Sequence, residues 1–268
     1  MTYPEQVKSF LWSAIFEMSQ YPGKFAKNPE VDFSRKRKLD FENLLRFLIS
    51  MGCGSTGHEL LKYFNYDLDV LSNATFYQQR KKLLSVALQH LLFQFNSYFS
   101  VEKYKGRYQL VACDGSEFNI ARNPDDPDTF HPPSGKSTKG FNMIYTISFY
   151  DILNKRYLDC VIQPSRQKNG FQAICEPTDR YQYGGTPIFI SDRGFSSFNY
   201  FAHAMNKGVF FLVRAKDINT KHLLKLETLP AFIDKEIELI LTRTQSQKAR
   251  KHPELAQQYR HICSEVSL

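Results

Sequence analysis

The sequence predicts an α/β (α+β) chain in which an all-helical N-terminal domain precedes a mixed sheet flanked by helices. Two observations carry this. Up to about residue 105, apolar residues recur at three- and four-residue steps, the period of a helix. Beyond it they alternate, or run together over short stretches bounded by turn residues, as strands do. With 268 residues, 42% hydrophobic and 23% charged, the chain has room for one large globular domain or two modest ones.

In the helical part Leu39, Phe41, Leu44, Leu45, Leu48 and Ile49 form one periodic set, with Lys38, Asp40 and Arg46 between them. Met51-Gly-Cys-Gly-Ser-Thr-Gly57 breaks that helix, and Thr56 is the expected cap of the next, GHELLKYF. A third helix is expected to start at Ser72-Asn-Ala-Thr75 and run unbroken to Phe99. Its apolar face would hold Leu83, Leu84, Ala87, Leu88, Leu91, Leu92 and Phe95. Phe10, Trp12 and Tyr21 read as core or packing residues. Short helices joined by Gly- and Ser-containing turns allow a helix-turn-helix-like DNA-binding unit. Thr75, Gln78, Gln79, Arg80, Lys81 and Lys82 then sit at and after a helix start, where amides and cations reach bases and phosphates. The run Arg35-Lys36-Arg37-Lys38 suits phosphate contact in the same way. Both sets suit an ordinary solvated helix face equally well.

The strand period begins at RYQLVACDG, which is expected to end in an Asp-Gly turn. FNMIYTISFYD and KRYLDCVIQP follow closely enough to make 107–163 an antiparallel three-strand meander. A helix around Gly170–Glu176, a strand at Pro187–Ser191, a helix over Phe198–Asn206 and a strand at Gly208–Arg214 complete the pattern. Three antiparallel strands followed by alternating helix and parallel strand is the ribonuclease-H-like order. A further strand is expected at 232–242, and the polar stretch from Ser246 to the end suits a helix without an obvious place in the core.

The net charge of +8 and pI near 9.1 lean towards an anionic partner, nucleic acid above all. That charge is spread along the chain, so a face built from several segments fits better than a basic arm. Five cysteines at wide spacing offer no C-x-x-C pair, and free buried thiols in a reducing cytoplasm are expected. No signal peptide and no apolar run of about 18–20 residues is seen, so neither export nor a membrane is expected.

The chemistry gathers on two aspartates. Asp114 in V-A-C-D-G-S and Asp192 in I-F-I-S-D-R-G-F are both expected where apolar strands end. In the ribonuclease-H-like order their strands are neighbours, which brings two carboxylates together although 78 residues separate them (192 − 114). Adjacent carboxylates repel unless a cation lies between them, and hard oxygen ligands suit Mg²⁺ or Mn²⁺. Each aspartate alone also suits a plain role, Asp114 in a turn and Asp192 as a helix cap. Ser134, Lys136 and Lys139, in the loop after His131, could touch DNA or stand simply solvated. G-K-S at 135–137 lacks the upstream glycine of a phosphate loop.

C-D-G-S at 113–116, S-D-R-G-F at 191–195 and G-F-N-M-I-Y-T-I-S-F-Y-D at 140–151 resemble the first two acid motifs and second strand of the insertion-sequence-4-type DDE transposases. The resemblance covers roughly 35–245. It implies a two-metal centre in which Asp114 bridges both Mg²⁺ ions and Asp192 binds one, with Arg193 and Lys139 as candidate cations for phosphate charge. It also implies a helical, DNA-binding domain at 1–105, a ribonuclease-H-like core at 106–230 and the start of a β-rich insertion at 231–268. Expected partners are the element's terminal DNA, target DNA and a second copy of the chain. The third acid of the family, a Glu in Y-x-x-R-x-x-x-E-x-x-x-x-x-x-K, has no counterpart here. Glu236, Glu238, Glu254 and Glu265 lack its neighbours, so the chain reads as stopping short of it. A non-catalytic DNA-binding remnant and a hydrolytic nuclease on the same fold are the competing expectations.

Overall fold

A computed structural model describes residues 1–35, 37–67, 69–135, 138–215, 227–234 and 236. The chain divides into two compact units, Met1–Ser100 and Val101–Leu268.

The described elements of the first unit are helices: α1 (Tyr3–Ser19), α2 (Phe41–Ser50), α3 (Thr56–Tyr63), α4 (Asn73–Arg80) and α5 (Val86–Ser97), with a 3-10 turn at Pro22–Phe25. α2 organises the packing because it is apolar on two sides. Phe41 and Leu45 join Ile15, Met18 and Leu91 in one cluster, while Leu44 and Phe47 join Leu39, Leu60 and Phe76 in another. Asp40 caps α2 by accepting the Asn43 N–H at 2.9 Å. Ser55, rather than Thr56, caps α3, accepting from the His58 N–H at 3.4 Å. The glycine turn before α3 closes on Glu59, whose buried carboxylate accepts the N–H groups of Gly52 (3.0 Å) and Gly54 (2.8 Å). Those two bonds hold its pKa below the ordinary value, Gly52 contributing most.

The expected single helix from Ser72 to Phe99 is in fact two. Between α4 and α5 the chain turns and makes one β-bridge, Leu83 to Ala26: Lys27 N–H donates to the Lys82 carbonyl at 2.9 Å, and Leu84 N–H to the Phe25 carbonyl at 2.8 Å. Leu83, in the bridge, packs against both clusters. Leu88, expected on the apolar face, is 45% exposed, and Tyr21, expected to pack inside, is 64% exposed with Lys24 over its ring.

The second unit contains β1 (Tyr108–Ile120), β2 (Phe130–His131), β3 (Phe141–Asp151), β4 (Arg156–Pro164), α6 (Gly170–Arg180), β5 (Thr186–Ser191), α7 (Phe198–Lys207) and β6 (Phe210–Val213). They form a mixed sheet flanked by helices. β3 pairs antiparallel with β1, β2 and β4, while β5 pairs parallel with β1 and β6 parallel with β5. Leaving aside the two-residue β2, the order across the sheet is β4-β3-β1-β5-β6. Val111, Cys113, Ile147, Phe149 and Phe189 line one face and pack with Ala173 and Ile174 of α6 and Tyr200 of α7. Two buried acids of this unit are paired. Asp151, fully buried, accepts from Gln109 and from the Asn154 side chain at 2.8 Å, and Asp159 takes a two-pronged contact from Arg180 at 2.6 and 2.8 Å.

Two strand expectations need correction. β1 does not end at Asp114-Gly115 but continues to Ile120, because residues 115–120 stay paired with β3. His131 stands in β2 rather than in a loose loop: its ring stacks on Phe141 at 5.0 Å and its Nε2 meets Ser165 Oγ at 2.6 Å. The strand expected at 232–242 lies mostly outside the described residues, and 232–234 and 236 belong to no strand. Cys53 is exposed, contrary to the expectation of buried thiols, whereas Cys113 and Cys175 are buried; Cys263 and the expected C-terminal helix lie outside the described residues. Among the described residues no helix is long and apolar enough to cross a membrane.

Candidate metal centre

β1 and β5 run side by side and parallel, in register from Tyr108↔Thr186 to Cys113↔Ser191. The next residues on the two chains are Asp114 and Asp192. β5 ends at Ser191, but Asp192 keeps an extended backbone (φ −76°, ψ 176°), so it follows the line of the strand. Neighbouring strands lie about 4.8 Å apart, which sets the spacing of these two residues at their backbones to about 5 Å. Parallel register thus brings together the pair that the sequence placed 78 residues apart (192 − 114).

Asp114 is a mid-strand residue, and β5 ends beside it. The Gly115 N–H donates to Asp114 Oδ1 at 2.8 Å, and the Gly194 N–H donates to Asp192 Oδ1 at 2.8 Å. Each carboxylate is therefore fixed by one oxygen. The other oxygen of each takes no hydrogen bond among the described residues, and both side chains are exposed. Two anchored carboxylates with open oxygens make a donor set for a hard cation that keeps water on its remaining positions. Among the described residues no group of three or more His, Cys, Asp or Glu is placed to share an ion.

Tyr145 is the residue that sequence reasoning missed. It stands opposite Glu117 in the β1–β3 ladder, and its half-buried ring reaches over Gly115. A Cβ at Gly115 would collide with the Tyr145 hydroxyl, and one at Gly170 would lie 3.0 Å from it. Burial pushes the Tyr145 pKa up, and the charges of Asp114, Glu117 and Asp192 push it further in that order. Those three acids thus share one electrostatic neighbourhood. Lys168 completes it, pairing with Glu117 and lying 5.4 Å from the centre of the Tyr145 ring. Nothing in the local sequence marks Tyr145, Glu117 or Lys168. The register of β3 on β1 joins Tyr145 to Glu117, and Lys168 reaches them from the turn that follows β4.

The other candidate residues fall elsewhere. Arg193 follows Asp192 directly, at the start of a 3-10 turn (Arg193–Phe195), and is exposed beside the pair. Lys139 is remote. It precedes β3, whose residue nearest Asp114 is Ser148, seven positions beyond Phe141 (148 − 141) and so about 23 Å along the strand. Lys136 and Lys36 lie outside the described residues. Gln78, Arg80 and Lys81 are exposed but occupy the last turn and C-cap of α4, not a helix start, where the cations suit the helix dipole. Gln79 is 4% exposed and is no surface contact. It lines a cleft with Arg35 and Arg37, so three of the expected DNA-contacting residues meet from two distant segments.

Compared with known proteins, the chain matches no protein-family model, and no curated protein matches it.

Proposed function

We propose that this chain is a metal-dependent DNA transposase of the insertion-sequence-4 type, built on a ribonuclease-H-like core and acting on element-end DNA in the bacterial cytoplasm. The observation that carries this reading is the register that makes Asp114 and Asp192 neighbours, each anchored by one backbone N–H with an oxygen to spare. The sheet order β4-β3-β1-β5-β6, with β3 running against the other long strands, supports the fold assignment.

The donor set fits one hard divalent cation, Mg²⁺ or Mn²⁺, held by Asp114 and Asp192; a two-metal centre needs the third acid of the family. Such an ion supplies Lewis-acid polarisation of a phosphodiester. The chain's own contribution is placement. β1 and β5 fix the two acids, Gly115 lets Tyr145 close against them, and Lys168 and Arg193 put positive charge beside the place where a phosphate would bind. The DNA partner is double-stranded element end and target, and a second copy of the chain holds the other end.

Purified protein incubated with Mn²⁺ and terminal-repeat DNA, beside Asp114→Ala, tests the reading. Nicking and strand transfer that vanish in the variant are the expected result. Cutting without strand transfer would make the protein a hydrolytic nuclease instead. The sequence itself favours one further reading, a DNA-binding protein that does not cut, since the Y-x-x-R-x-x-x-E pattern is missing from these 268 residues. Retarded but uncut DNA with both proteins would establish it.

A further inference from the structure

The cleft in the helical unit has the make-up of a ligand site. It encloses about 440 Å³, within the range of small-molecule sites. The backbone at Phe33 turns through a positive φ of 61°, which an aromatic residue rarely adopts, and the following residues Ser34, Arg35 and Arg37 wall the cleft. Lys82, in the turn after α4, also lines the cleft, with its amine 3.9 Å from the buried Asp32 carboxylate. Glu30 and Asp40 stand on the rim as well, but among the described residues Arg35 and Arg37 form no salt bridge, so their guanidinium groups are free to meet an anion. Val31, Phe33 and Leu39 supply an apolar wall.

Gln79 decides the kind of ligand. Its side chain is 96% buried (4% exposed) and faces this cleft, yet its amide takes no hydrogen bond among the described residues. Its polar end is not among the fully buried atoms, so the amide opens on the cleft, and a primary amide both donates and accepts. It therefore matches a ligand edge that carries a donor beside an acceptor. Guanidinium forks match phosphate oxygens in the same complementary way.

We propose that this cleft binds a phosphate-bearing nucleotide, with Arg35 and Arg37 on the phosphate, the apolar wall against the base and Gln79 on the base's polar edge. The chemistry is shared by a free mononucleotide and by one nucleotide of a DNA strand. In the second case the cleft is the place where the helical unit grips DNA, and the inference then rests on the DNA-binding part of the function proposed above.

The test uses the full chain, titrated with deoxynucleoside monophosphates, inorganic phosphate and a short single-stranded oligonucleotide. The Gln79 side-chain amide is followed by NMR and affinities are taken from the same titrations. Arg35→Ala with Arg37→Ala should weaken nucleotide and phosphate about tenfold or more. Gln79→Leu should weaken the nucleotide about tenfold and leave inorganic phosphate unchanged. Gln79→Glu, of the same shape, and an unchanged melting temperature separate loss of binding from loss of fold. Binding that is tighter for the oligonucleotide than for the monophosphate assigns the DNA strand as source, and the reverse assigns the free nucleotide. If nucleotides leave the Gln79 amide unmoved, or bind all variants alike, the proposal is overturned. Duplex DNA retained by those same variants would sink the cleft alone, whereas a wild-type protein that binds nucleotides but no DNA would sink the transposase reading alone.

Discussion

Replacing Asp114 with Asn should make the protein more stable in the absence of divalent metal and less stable than the wild type in its presence. Asn keeps a carbonyl oxygen for the Gly115 N–H, so the hydrogen bond at 2.8 Å survives while the charge goes. If the carboxylates keep the spacing of about 5 Å that the strands set at their backbones, the two charges repel by about 0.8 kcal/mol in water and about 3 kcal/mol at an effective dielectric constant of 20. Both carboxylates are exposed, so solvent screening favours the lower figure, and relief of about 0.5–1 kcal/mol is expected. Metal acts in the opposite direction. At a concentration ten times its Kd, a ligand bound only by the folded state stabilises it by about 1.4 kcal/mol. Urea unfolding of both proteins, in EDTA and in Mg²⁺, should therefore show the two stability curves exchanging order. A variant less stable than the wild type in EDTA, or one that responds to Mg²⁺ equally, would refute the reasoning, because the carboxylates would then not repel one another or not share a cation.

Two further outcomes test the surroundings. Gly115→Ala should cost about 1–3 kcal/mol in urea unfolding, since its Cβ meets the Tyr145 hydroxyl, and adding Tyr145→Phe should restore much of that loss; no restoration would mean that the hydroxyl is not what Gly115 accommodates. Glu59 has its pKa lowered on folding, so its contribution is fully present above the ordinary value of 4.5 and is lost as pH falls through the depressed one. Stability measured across that acid range should fall less steeply in Glu59→Gln, and equal slopes would contradict the Gly52 and Gly54 hydrogen bonds.

The strands from β3 to β6 were legible because each is a short apolar run between turn residues, and their bounds agree with the alternation within a residue or two. The turn expected at Asp114-Gly115 is absent for an equally physical reason. Asp-Gly is a strong turn signal, but here the glycine serves a close approach: it leaves room for Tyr145 while residues 115–120 stay in the β1–β3 ladder. The break between α4 and α5 was hidden because Leu83 and Leu84 keep a helical spacing with the leucines that follow. What ends the helix is pairing with residues 25–27, more than fifty positions upstream, and a local pattern carries no trace of it. Gln79 shows the same limit. Its neighbours Gln78 and Arg80 are exposed as a polar run suggests, yet helical geometry turns Gln79 inward beside Phe76.

The paired acids are the centre of the account, and direct binding of Mn²⁺ tests them most simply. Electron paramagnetic resonance of free Mn²⁺, titrated with wild type, Asp114→Ala and Asp192→Ala, counts bound ions without any need for DNA or turnover. One saturable ion in the wild type, lost in both variants while their far-ultraviolet circular dichroism is unchanged, is the predicted result. Equal Mn²⁺ binding in all three proteins, or none in the wild type at millimolar metal, would contradict the claim that Asp114 and Asp192 form a cation site.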